Sequence, residues 1–195
     1  MSMKSKARLL MIAGALILLS SCQTYKVSLT YNPPSFNDRV LKGKPTIKID
    51  KINDVRKLRG AELGAIKNEF GISIKSISAK QPISEITRTA FSHALKSRNL
   101  LAEKDAKYVL QADVLQFECS QYSTQNAECR IRVHLYQAKT GRLIYSQYYY
   151  STKTKVSANV SYWSNVDEIA QVASEALQDV VDRAVDDQRL RRMLQ

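Results

Sequence analysis

Cysteines, histidines and a cluster of arginines with tyrosines are the side chains in this 195-residue sequence whose types could do chemistry. The two histidines, His93 and His134, are far apart in the chain. His93 falls off the apolar stripe of its helix, and His134 sits between Arg132 and Tyr136 on an alternating strand, where a solvated polar-face histidine is the simplest reading. No glycine-flanked serine, phosphate-cradling glycine loop or His-Glu-x-x-His run accompanies them. Asp113 and Glu118 share a strand, but their odd spacing puts them on opposite faces if the strand is regular. Cys119 and Cys129 do not form a two-residue-spaced pair, which argues against a metal site. The expectation is a protein without catalytic residues, metal or cofactor, and not an enzyme. Arg130, Arg132 and Tyr136 alternate along one strand, and Tyr145 and Tyr149 belong to a tyrosine-rich run on the next. Together they could bind a sugar or an acidic ligand. Tyrosine is also a good strand former whose rings shield a sheet face, so both readings stand.

Cys22 has a different setting. Residues 1–8 carry Lys4, Lys6 and Arg8 and no acid, and Leu9 to Leu19 run without a charge. A basic stretch, a short apolar stretch and small residues near a cut site describe a secretory signal. The apolar run is too short for an ordinary membrane span of about 20 residues. Its ending, Leu19-Ser20-Ser21-Cys22, is similar to the bacterial lipobox. That similarity implies cleavage before Cys22, diacylglycerol on its thiol and a further acyl group, such as palmitate, on the new amine. Gln23 rather than aspartate after the cysteine favours the outer membrane, facing the periplasm. In that oxidising compartment Cys119 and Cys129 can form one disulfide. Two free buried thiols are the alternative.

Removing 21 residues from 195 leaves a mature chain long enough for one domain with a real core. Subtracting the three leader cations from the formal charge of +12 leaves a basic mature protein. An exported, lipid-anchored protein rarely meets nucleic acid. Anionic lipid heads, envelope glycan or an acidic protein partner suit the charge better. The basic stretch 41–59 could rest on an anionic membrane surface.

Pattern and punctuation divide the chain into the elements that must position these residues. Residues 1–21 are the signal, 22–45 a lipidated tether broken by Asn32-Pro33-Pro34 and Gly43-Lys44-Pro45, and 46–195 one domain. Within the tether, residues 26–31 alternate and could add a short edge strand. Residues 46–52 and 71–77 alternate as strands, and 53–70 read as a loop with a turn of helix. Pro82 opens a helix to about Arg98, with Ile83, Ile86, Ala90, Phe91, Ala94 and Leu95 on one stripe. Three strands come next, at 107–119, around 129–135 and at 142–151, the last two joined by a turn at Lys139-Thr140-Gly141. Residues 152–164 read as a polar connection. Asn165 and Glu168 form a capping box for a second long helix, and 188–194 a short basic one. This order predicts an α+β fold, with a mostly antiparallel sheet and two helices packed on one face.

Several short segments, in order, resemble the YajG-type family of bacterial outer-membrane lipoproteins. They are Asp54-Val55-Arg56, Leu63-Gly64, Asn68-Glu69-Phe70-Gly71, "ALKSRNLL", "AKTGRLIYSQYY" and the late "LRRML". Asn99-Leu100 stands where the family often has Gly-Phe. The resemblance implies a lipid-anchored periplasmic domain without known catalysis, and an accessory or docking role toward an envelope protein complex. It supplies no ligand, and binding of an envelope glycan or anionic lipid remains the alternative.

Overall fold

A computed structural model describes residues 24–34, 40, 43–156 and 166–194 of the chain. Cys22 and Asn165 lie outside the described residues. Seven strands form one sheet: β1 (Thr24–Val27), β2 (Ile47–Asp54), β3 (Glu62–Lys67), β4 (Ser73–Ala79), β5 (Tyr108–Gln121), β6 (Thr124–Gln137) and β7 (Leu143–Val156). Helices α1 (Ile83–Ser97) and α2 (Val166–Val185) and the short α3 (Gln188–Leu194) complete the described elements.

The sheet is mixed, which corrects the expectation of a mostly antiparallel one. Its main path runs β1-β4-β3-β5-β6-β7, with β2 also on β5. The β5–β6, β6–β7 and β3–β4 pairs are antiparallel, whereas β1–β4, β2–β5 and β3–β5 are parallel. The cause is the length of β5. Residues 108–114 of its edge pair with β2, and residues 119–121 of the same edge pair with β3. The chain thus runs along β5 twice in one direction before α1 carries it back, and a helical crossover is what parallel pairing requires.

Strand β3 falls in the stretch read as a loop. Leu63 and Ile66 are both buried although three residues apart, because the register shifts between Glu62 and Gly64 and breaks the period of two. Gly64 has φ +141°, and a Cβ there would come within 2.0 Å of the Cys119 carbonyl oxygen. Only glycine lets β3 lie this close to β5.

Where β5 passes from β2 to β3, Arg56 fills the gap. Its side chain is buried and forms a two-pronged pair with Asp54 at 2.7 and 2.8 Å. It also donates to the carbonyls of Glu62, Phe117 and Gly60. The Asp-x-Arg run therefore supplies hydrogen bonds that neither flanking strand can give.

Helix α1 follows Pro82 at its N-cap and buries the expected stripe, including Ile83, Phe91 and Leu95. Asn99 comes after it with φ +57°, the left-handed position usually given to glycine at a helix end. Helix α2 packs on β5, β6 and β7, and α1 packs on β2 and on α2. Cys129, Ile131, Val133 and Leu135 line the sheet side of this core, and Val172, Leu177 and Val181 the helix side. The alternating residues Arg130, Arg132 and His134 point to the sheet's other face.

Candidate functional site

The two strands that carry the arginines and tyrosines are paired so that Arg130 faces Tyr150, Arg132 faces Tyr148 and His134 faces Ser146. Ile131 faces Tyr149 and Leu135 faces Tyr145. The expected surface is therefore split. Arg130, Arg132 and Tyr136 lie on the outer face of the sheet, but Tyr145 and Tyr149 lie on the helix-covered face. Tyr149 is buried, and the Tyr145 and Tyr149 hydroxyls hydrogen-bond to each other. Burial pushes the Tyr145 phenol up to about 12. The period of two separates the tyrosines, and only the cross-strand register decides which pair joins the arginines.

The outer face instead holds Tyr148 and Tyr150, both exposed. The Arg130 guanidinium lies 5.3 Å from the Tyr150 ring centre, and that of Arg132 lies 5.6 Å from the Tyr148 ring centre. Arg132 is further engaged. It donates to Asp113 at 2.9 Å and to the Tyr148 hydroxyl at 3.2 Å. Asn53 donates to the other Asp113 oxygen at 2.8 Å, and His134 Nε2 lies 3.4 Å from Asp113. Burial would raise the Asp113 pKa, but the bonds from Asn53, Arg132 and His134 outweigh it and hold the carboxyl below its usual range. Arg130 is the more available cation of the two.

Farther along this face an open groove of about 450 Å³ is floored by Gly64 and Cys119 and edged by Glu62, Lys67, Glu118 and Glu128. Glu118 and Glu128 face each other directly. The face thus carries both signs of charge in adjacent rows. Among the described residues, no group of three or more histidines, cysteines and acids could hold a metal ion.

Cys119 and Cys129 are free, against the expected disulfide. The β5–β6 register sets Cys119 opposite Ala127 and Cys129 opposite Phe117. The cysteines are diagonal neighbours, and such positions lie roughly 7–8 Å apart, whereas a disulfide needs Cβ atoms about 3.5–4.5 Å apart. Both thiols are buried, and burial pushes Cys119 up to about 12 and raises Cys129 further.

A second cluster escaped sequence reading. Arg98, at the end of α1, is 1% exposed. It pairs with Asp182 of α2 and with Asp186 just after that helix, each at 2.8 Å, and donates to the Tyr31 hydroxyl at 3.0 Å. The Tyr31 hydroxyl in turn donates to Asp182 at 2.6 Å. Burial works against the Arg98 charge, but the Asp186 bond and the nearby Tyr31 oxygen outweigh it and raise its pKa. Nearby, the Thr30 and Asn32 amides donate to Ser174 and Gln178. The segment 24–32 is thereby bound along the domain, with β1 at the sheet edge and Val27 and Tyr31 in the core. A signal was present in the sequence: acids four residues apart at the end of α2 oppose the helix dipole and call for a cation.

The described part of the basic stretch, residues 43–59, does not form one surface. Ile47 of β2 pairs with Tyr108, at the end of β5 remote from β1, and Arg56 is consumed inside the fold.

No known family profile matches the chain, and no curated protein does. Among solved structures it is similar to protein XCC0632 from Xanthomonas campestris, of the DUF330 family, with TM-score 0.64 and 14% identity over 88% of this chain and 98% of that one. The likeness shows a shared fold. A putative lipoprotein from Caulobacter crescentus matches at TM-score 0.42 and 16% identity, over 53% of this chain and 78% of that one. A minor lipoprotein from Acinetobacter baumannii matches at 0.38 and 11%, over 73% and 94%. Both scores are too low to carry an argument.

Proposed function

We propose that this protein is a bacterial envelope lipoprotein, held by an acylated Cys22 at the outer membrane and facing the periplasm. There it acts as a non-catalytic docking or accessory subunit of an envelope complex, in the manner of the YajG-type lipoproteins its sequence resembles. The observation that carries this reading is the position of Thr24. Two residues after Cys22 the chain is already a strand of the sheet, opposite Ser76, and the Tyr31–Arg98 bond clamps the segment just beyond that strand. Two residues span at most about 7 Å. An acyl anchor on Cys22 would hold the folded domain directly against the bilayer. At about 0.8 kcal/mol per buried methylene, several acyl chains make such anchoring persistent. Replacing Cys22 with alanine tests it: the variant is expected in the soluble periplasmic fraction, and continued membrane association would contradict the reading.

A second reading, a binding module for an envelope glycan or anionic lipid, is favoured by the Arg130–Tyr150 pair. That pair sets an exposed ring side by side with a cation that has no carboxylate partner among the described residues, on the outer sheet face.

A further inference from the structure

One end of the sheet displays apolar side chains that the fold does not use. The β3–β4 hairpin turns over residues 68–72, and the β5–β6 turn over residues 122–123 lies beside it, with the Tyr122 hydroxyl donating to the Glu69 carbonyl at 3.2 Å. Val156, the last residue of β7, pairs with Thr124 at the same end. Phe70, Ile72, Tyr122 and Val156 are all exposed there, Phe70 at 77% and Val156 at 76%. They are four of the nine large apolar side chains exposed among the described residues. Scattered exposed apolar residues need no explanation, but a cluster at one end does.

The hairpin is not frayed. Asn68 Oδ1 accepts from the Phe70 and Ile72 amides at 3.1 and 2.9 Å. The Asn68 and Gly71 amides close the turn on the Ile72 and Asn68 carbonyls, each at 2.9 Å. Asn68 and Gly71, at φ +75°, satisfy the turn. Nothing in its bonding requires a phenyl ring at Phe70 or an Ile72 side chain pointing into solvent.

The start of the described chain lies at this same end. Thr24, Ser76, Ala65 and Ser120 are level across β1, β4, β3 and β5. Ser120 is two residues from the Tyr122 turn. Strand β1 is parallel to β4, which itself begins at the hairpin tip, so Thr24 is the tip-side end of β1. Cys22 is therefore within about 7 Å of the tip-side end of β1. The tip carries both signs of charge, Lys67, Lys75 and Lys155 against Glu69. It is the apolar side chains and the position of the anchor, not net charge, that select the occupant.

We infer that Phe70, Ile72, Tyr122 and Val156 enter the interfacial region of the lipid bilayer beside the acylated Cys22, giving the domain a second membrane contact and one fixed orientation. This rests on the lipoprotein reading above. Mixed aromatic and aliphatic side chains on rigid turns suit that zone, where an apolar body is buried and a hydroxyl stays wet. The outer sheet face and the far β6–β7 turn would then face away from the bilayer or along it, free for other contacts.

The test uses the full chain purified from membranes, with Trp163, its single tryptophan, replaced by phenylalanine and Phe70→Trp introduced. It is reconstituted in phosphatidylethanolamine–phosphatidylglycerol vesicles with and without lipids brominated near the top of the acyl chains. Trp at position 70 is expected to emit at shorter wavelength than in detergent-free buffer and to be quenched by the bromolipid. Val156→Trp should report the same should the first variant not fold. Leu143→Trp, exposed at the opposite end of β7, should stay unquenched. Vesicle-bound, acylated protein with neither tip tryptophan quenched, as when a protein partner covers the tip instead, overturns the inference and leaves the lipoprotein reading standing. Equal quenching at Leu143→Trp overturns it too. An unacylated Cys22 in the same preparation overturns both.

Discussion

Gly64 is where a single hydrogen atom decides the architecture. The carbonyl of Cys119 occupies the space a Cβ would take, and the backbone angle is one that side chains rarely adopt. Gly64→Ala should therefore cost about 2–3 kcal/mol or more, read as a lower urea midpoint at unchanged slope. A shift smaller than about 0.5 kcal/mol would mean that β3 does not approach β5 so closely. The cysteines make a chemical prediction. Their thiols are buried and their pKa values raised, so thiolate is scarce at neutral pH. Native protein should resist alkylation at both. Protein unfolded without reductant should take up a label at each of Cys119 and Cys129. No label on either would restore the disulfide that their diagonal placement argues against.

At the scale of elements, α1, α2 and the segment 24–34 meet at Arg98. Removing one partner of a buried ion pair leaves the other charges uncompensated, which costs about 3–5 kcal/mol. Arg98→Ala should lower stability by that order in urea unfolding and make the chain before Asn32 the first site of limited proteolysis. An unchanged midpoint with that segment still protected would show the clamp to be idle. Long, strictly patterned elements were legible in the sequence. The helix stripe from Ile83 to Leu95 and the alternation of Ile131, Val133 and Leu135 folded as read. What escaped was set by distant partners. Strand β3 hides behind a bulge that spaces Leu63 and Ile66 by three. Parallel pairing of β2 results from β5 being long enough to host two strands on one edge. Tyr145 and Tyr149 lie apart from Arg130 and Arg132 because alternation on β7 fixes two sets of residues, while register alone says which set meets the arginines. Segment 24–32, read as part of a tether, is held by Arg98, Ser174 and Gln178, all remote in sequence.

For the whole molecule, these contacts make the segment 24–32 part of the body. β1 lies on the sheet edge with its first residue on the tip side, and β2 begins at the other end, beside Tyr108. If Cys22 is acylated as proposed, this arrangement gives the domain an orientation as well as an address. On the proposed orientation, the surfaces open to a partner would be those turned from the tip, among them the face with Arg130, Tyr148 and Tyr150. All of it depends on what is attached at Cys22. Intact-mass and N-terminal peptide spectrometry of the native protein extracted from membranes measures that directly. A chain beginning at Cys22 and carrying the mass of a diacylglyceryl group and an amide-linked acyl chain is the predicted result. A retained leader, or a bare Cys22 thiol, would contradict the account.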